Sequence, residues 1–241
     1  MRKLFISLIF LLYFTILPNV SNASQVIGGE ITYSCTGNPD EYLVELRVYR
    51  DCDGPGSVLE SISYSSARCG MNESLNLILV NTANLPQNCP ALMNVEERLY
   101  SGILNLTMDC GNDWVLSYST CCRNSAITSG AANEGFHLSA FLDNTLAECN
   151  NSPVFSSPGQ IFICDNEPVS YSLGAIDPEG DDLVFSLANC SQNPNIFVSY
   201  NVGLSGVQPL STTSGFSIDP ATSEINFTPT PGVFQVGSSL Y

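Results

Sequence analysis

Apolar and polar residues alternate with a period of two along most of this chain. In the stretch 42–49, Tyr42, Val44, Leu46 and Val48 form one apolar set, while Glu45 and Arg47 fall on the other side. Leu75, Leu77 and Leu79 repeat the pattern, as do Trp114, Leu116 and Tyr118, and then Phe136, Leu138 and Ala140. Successive side chains of an extended strand point to opposite faces, so this alternation predicts half-buried β-strands. Turn-forming clusters separate them, such as Asp51-Cys52-Asp53-Gly54-Pro55-Gly56 and the Gly- and Ala-containing stretch 129–135. No segment carries an apolar stripe at helical spacing between capping signals. The expectation is an all-β chain of many short strands.

A domain boundary is predicted at 150/151. There Cys149-Asn150-Asn151-Ser152-Pro153 is followed closely by Ser156-Ser157-Pro158-Gly159. Beyond it, shorter strands are predicted at 161–164, 169–173, 183–187, 216–218, 225–227 and 233–236, with a loop rich in Gly, Ser and Thr over 201–215. Short strands at this spacing predict an immunoglobulin-like sandwich. The expected organisation is a leader over 1–23, a disulfide-containing all-β N-terminal domain over 24–150, and a second β-sandwich-like domain over 151–241. The chain stops at Tyr241, just after the strand predicted at 233–236, where such a sandwich would need its closing strand. A missing last strand, and a longer parent product, are therefore expected.

The leader changes how the rest reads. Arg2 and Lys3 precede an apolar run over 4–17, and Ser21-Asn22-Ala23 supplies small residues for a cut. This order describes a secretory signal peptide, cleaved after Ala23. The run is short of the ~20 residues needed to span a bilayer. Residues 24–241 then carry five Arg, no Lys and 23 acids, a formal charge of −18 against −16 for the whole chain. Such a balance argues against nucleic acid and anionic lipid, which recruit clustered Lys and Arg. No later stretch is apolar enough to insert into a membrane.

Export also sets the reading of the ten cysteines, Cys35, Cys52, Cys69, Cys89, Cys110, Cys121, Cys122, Cys149, Cys164 and Cys190. An even number in an exported chain favours disulfides. A zinc site is the rival, but no CxxC pair occurs and His137 is the single histidine. Cys121 and Cys122 are adjacent, and an eight-membered ring between them departs from preferred disulfide geometry. Each is expected to pair elsewhere, tying one strand to two neighbours.

One segment has the composition of a metal site. Asp177-Pro178-Glu179-Gly180-Asp181-Asp182 places the carboxylates of Asp177, Glu179, Asp181 and Asp182 in a single turn. Calcium takes hard oxygen ligands of this kind, completed by carbonyls and water. The alternative is a solvated turn in which Asp and Gly serve conformation alone. His137 could join a Ser-His-Asp arrangement with Asp143, but no GxSxG elbow occurs and its position on a predicted strand favours a surface histidine. Trp114 could stack on a sugar, yet its place in an alternating strand favours the core.

Residues 175–187, AIDPEGDDLVFSL, resemble the DPDGD-containing strand pair of cadherin-like and immunoglobulin-like repeats of bacterial surface proteins. Asp219-Pro220-Ala221-Thr222-Ser223-Glu224-Ile225 and Gly232-Val233-Phe234 are similar to the closing stretch of those repeats, with Ser223 where Gly is common. Gly28-Gly29-Glu30-Ile31-Thr32-Tyr33, Val48-Tyr49-Arg50-Asp51-Cys52 and the segment LSYSTCCRNSAIT over 116–128 resemble the N-terminal region of large Bacteroidetes surface proteins. Many of those end in a gliding-motility-associated or type IX sorting domain. The resemblance implies an exported adhesive or matrix-forming protein and implies no activity.

The expected function is a non-catalytic extracellular or cell-surface module for binding or structure, related to adhesion or gliding, with calcium as a stabilising ion. Its expected partner is an extracellular protein or glycan. The alternative is a secreted carbohydrate-active protein, either a carbohydrate-binding module or an accessory domain of a hydrolase.

Overall fold

A computed structural model describes residues 26–52, 56–85, 95–106, 112–145, 150–157, 159, 163–164, 166–233 and 235. The expected leader, Cys89, Cys110, Cys149 and the last residues of the chain lie outside them. The described residues form β-strands and no helix, as the period of two predicts. In chain order the strands are β1 (Val26–Cys35), β2 (Glu41–Asp51), β3 (Leu59–Ser66), β4 (Met71–Asn84), β5 (Val95–Asn105), β6 (Trp114–Thr120) and β7 (Phe136–Leu142). There follow β8 (Val154–Phe155), β9 (Val169–Ser172), β10 (Ala175–Ile176), β11 (Ser191–Asn193), β12 (Ile196–Phe197), β13 (Thr212–Ile218) and β14 (Glu224–Pro229).

Nine strands make one antiparallel sheet in the order β1-β2-β5-β4-β3-β6-β7-β11-β12. Strands β3, β4 and β5 form a reversed meander between β2 and β6, so β2 and β3, and likewise β5 and β6, are consecutive in the chain but not neighbours in the sheet. The sheet curls until β1 packs on β7. At that seam Tyr33 Oη donates to the Phe141 carbonyl at 2.8 Å. Curling lets one sheet supply both walls of a single core. Tyr42, Val44, Leu46 and Val48 from β2 face Ile62, Leu77, Tyr100, Leu104, Trp114, Leu116, Tyr118 and Phe136 there. The apolar set read in β2 is thus the buried set, and Trp114 lies in the core at 1% exposure.

Two segments close the outer edge of β1. Val26 N donates to Cys122 O at 3.2 Å and Val26 O accepts from Asn124 N at 3.0 Å. At the other end Ser152 N donates to Tyr33 O at 2.9 Å, and Asn151 Oδ1 accepts from Cys35 N at 2.8 Å. An edge strand's spare backbone groups are satisfied in this way rather than left to pair with another chain.

The second half holds a three-stranded sheet, β13-β14-β9, and the β8–β10 pair. Leu173, Ile225 and Phe227 form its small core, with Phe216 stacked on Phe227 at 4.7 Å between centroids. Strands expected at 169–173, 216–218 and 225–227 are present in β9, β13 and β14. The strand expected at 183–187 is not. Leu183, Phe185 and Leu187 are half-buried while Val184 is 83% exposed, so the alternation is kept, but the segment forms no strand and Phe185 N donates to Pro220 O at 2.9 Å. Alternation reports sidedness, not a ladder partner. Ile163, Cys164 and Val233 likewise lie outside strands, and β13 begins inside the loop expected over 201–215. In addition, β11 and β12 join the large sheet through Ser191 opposite His137, so that sheet runs across the expected 150/151 boundary.

Candidate functional site

The acidic turn is held by its own carboxylate. Asp177 Oδ1 accepts from Glu179 N at 2.9 Å and from Asp181 N at 3.0 Å, and Asp177 O accepts from Gly180 N at 3.2 Å. Gly180 has φ +86°, the left-handed conformation glycine permits without strain. Glu179 turns away to Asn151, accepting from its backbone N at 3.2 Å and from its side-chain amide. Among the described residues no three His, Cys, Asp or Glu side chains converge as a metal site. The structure places Asp177, Glu179, Asp181 and Asp182 in one turn, with Asp177 engaged by the turn's own backbone and Glu179 by Asn151. Asp219 repeats the device, with Oδ1 accepting from Ala221 N and Thr222 N at 2.8 and 2.9 Å. These bonds hold the Asp219 carboxyl below its ordinary range. Four residues on, Ser223 takes φ +60°, a left-handed backbone conformation that favours glycine.

His137 lies on the outer face of β7, and Ser119 stands directly opposite on β6. Ser119 Oγ is 2.8 Å from His137 Nδ1. Partial burial lowers the histidine's pKa, which favours the neutral ring. Asp143, the carboxylate such a triad would need, instead caps its own turn, accepting from Thr145 N at 2.9 Å and Thr145 Oγ1 at 2.7 Å. A nucleophile–base contact is present, and the carboxylate that would orient the base is directed elsewhere.

Among the described cysteines, Cys35, Cys69 and Cys164 are in disulfides. Cys52 Sγ lies 3.7 Å from Asn84 Oδ1, and Cys190 is buried. Cys121 and Cys122 follow β6 directly, with their sulfurs adjacent. Strand β6 ends at Thr120, and the pair sits where the chain leaves the sheet to run beside Val26.

Sequence reading missed a polar network inside one end of the large sheet. Arg50 continues the inward phase of Tyr42, Val44, Leu46 and Val48, while Glu96 and Arg98 share the phase of Tyr100. Charges in phase with a core face were the available signal. Arg98 Nε donates to Glu96 Oε1 at 2.6 Å, and Arg50 Nε lies 3.5 Å from the same oxygen. Ser57 O accepts from Arg98 Nη1 at 3.1 Å and from Tyr100 Oη at 3.0 Å. Tyr118 Oη donates to Glu60 Oε2 at 3.2 Å. Burial raises the Glu60 carboxyl against the pull of both arginines. Arg50 Nε and Nη2 are buried in this network without a hydrogen-bond partner, so the Glu96 carboxylate meets Arg50 as a charge rather than through a formed hydrogen bond.

The outer face has a different character. Val58, Leu59, Ile78, Val80 and Ile103 project from β4, its neighbours and the entry to β3, each between 46% and 73% exposed. Leu59 pairs with Ile78, Ile78 with Ser101, and Ser101 with Glu45, giving one cross-strand row that runs from aliphatic to acidic. Beyond that row Arg47 bonds Glu30 and lies 3.4 Å from Glu97. Two carboxylates, Glu30 and Glu97, thus share one guanidinium, and Glu45 stands two residues along β2 from Arg47 on the same face. Burial is the main cause that raises Glu30 above the usual carboxylate value; Arg47 opposes the rise, and Glu97 and Glu45 add to it.

The fold and these sites define an all-β protein with a large curled antiparallel sheet and an exposed aliphatic face. No protein-family model, curated protein or solved structure matches the chain.

Proposed function

We propose that this chain is a non-catalytic extracellular module that binds another protein, in the setting of adhesion or gliding that its resemblance to Bacteroidetes surface proteins implies. The observation that carries the reading is the exposed aliphatic face of β3, β4 and β5. Contiguous apolar surface on a soluble protein marks an interaction site. Support also comes from the side chains that chemistry would need. Asp143, Asp177 and Asp219 are engaged in capping turns, and His137 meets a serine without an orienting carboxylate. Trp114 is buried, so it offers no platform for a sugar.

The test is a screen of ester, peptide and polysaccharide substrates with the wild-type chain and His137→Ala. No turnover that depends on His137 is expected. Hydrolysis lost in the variant would replace this reading with a Ser119–His137 hydrolase.

A further inference from the structure

We infer that the β3–β4–β5 face docks a protein whose own aliphatic patch is flanked by Lys or Arg, and that its partner is not a second copy of this chain. The inference rests on the binding reading above and adds the partner's chemistry. Apolar burial would supply affinity, and the flank of the face sets the sign of the charge that can approach. Strands lie ~4.8 Å apart, which puts Glu45 about 10 Å from Ile78 across the row they share. A partner large enough to bury the patch spans several strands, so its rim lies directly against this flank. Glu30, Glu45 and Glu97 outnumber Arg47 there, leaving negative charge that a partner's cation would relieve.

A second copy lacks such a cation. Of the five arginines in residues 24–241, Arg47, Arg50 and Arg98 are ion-paired, and Arg123 is buried at 2% exposure. Arg68 remains, and it lies at the β3–β4 turn with its Nη1 3.4 Å from Asn112 Oδ1. Internal use of arginine makes the exterior more acidic than the formal charge suggests. Two copies placed face to face would set acidic flank against acidic flank, which opposes association.

The experiment measures fluorescence anisotropy of three labelled synthetic peptides, alternating Leu-Lys, Leu-Ser and Leu-Glu, with the secreted chain and its Ile78→Ser and Glu45→Gln variants. Both substituted residues lie on the outer face, so the fold is kept. The Leu-Lys peptide should bind the wild type. Ile78→Ser should weaken it about tenfold through lost apolar contact, and Glu45→Gln about threefold, mainly by slowing association at low salt. The Leu-Glu peptide should not bind. Leu-Ser binding as tight as Leu-Lys would overturn the cationic partner while leaving the binding face. Leu-Lys binding unchanged in Ile78→Ser, or no binding by any peptide, would overturn both. A dimer in sedimentation that Ile78→Ser abolishes would overturn the exclusion of a second copy.

Discussion

The guanidinium of Arg123 lies over the ring of Phe136, with Cζ 4.8 Å from the ring centroid. Its Nε donates to Gly135 O at 3.1 Å and its Nη2 to Ser191 O at 3.2 Å. This side chain therefore joins the start of β7 to β11, reaching a carbonyl 68 residues further along the chain. Among the described residues no carboxylate pairs with it, and Nη1 is buried without a hydrogen-bond partner. Desolvation lowers its pKa, with Cys190, Tyr200 and Glu134 opposing. Cation–π contact and two carbonyls do the work that an ion pair does elsewhere.

Arg123→Ala should cost about 2–4 kcal/mol in urea unfolding, because it opens a void over Phe136 and strips two carbonyls of their donor. Arg123→Met should lose less, since the stem still covers the ring and no buried charge remains. Hydrogen exchange should quicken first at Ser191–Asn193. Wild-type stability in the alanine variant would remove the role given to this residue.

Glu60 gives a pH dependence with a defined sign. Burial raises its folded-state pKa above the ordinary glutamate value, so the folded state holds the proton more tightly than the unfolded one. Its contribution is full below that unfolded value and is lost as pH rises through the folded pKa. Glu60→Gln mimics the protonated form. The variant should match the wild type at pH 4 and exceed it in stability at pH 7, measured by denaturant midpoints. A variant less stable than wild type at pH 7 would show that Arg50 and Arg98 need the charge.

Gly29→Ala should destabilise the seam between β1 and β2. A Cβ at this position would lie 2.5 Å from the backbone oxygen of Arg47 and 3.2 Å from Leu138 Cδ1. The first neighbour is a ladder carbonyl and cannot turn aside. A loss of about 1–3 kcal/mol is expected from such overpacking, with melting temperature as the readout. An unchanged melting point would mean that β1 shifts on β2 without cost.

The acidic turn yields a separate prediction. Asp177 holds it through two backbone N–H groups, so Asp177→Ala should lose about 1 kcal/mol. Because Glu179 is directed to Asn151, the wild-type melting temperature should be the same with calcium and with chelator. A rise with calcium that vanishes in Asp177→Ala would establish the ion that the composition of the turn suggests.

Much of the fold was legible because sidedness is local. Tyr42, Val44, Leu46 and Val48 declare an inner face to any reader of the chain, and each is at most 5% exposed. The same rule placed Trp114, Leu116 and Tyr118 in the core. It also marked Leu183, Phe185 and Leu187 as one side of an extended segment, yet their backbone gains no ladder, because pairing depends on what lies alongside in space.

By itself, then, the sequence determined the all-β class, the inner faces of the large sheet, and the Asp-Pro turns whose carboxylates cap their own backbone. Each follows from interactions within a few residues. Only the tertiary structure decided that Arg50, Glu96 and Arg98 meet inside one end of the sheet, that Arg123 spans to Ser191, and that Ile78 and Glu45 share a row. Strand order is β2-β5-β4-β3 rather than sequential, so the neighbours of a side chain are set by loop crossings that alternation does not encode.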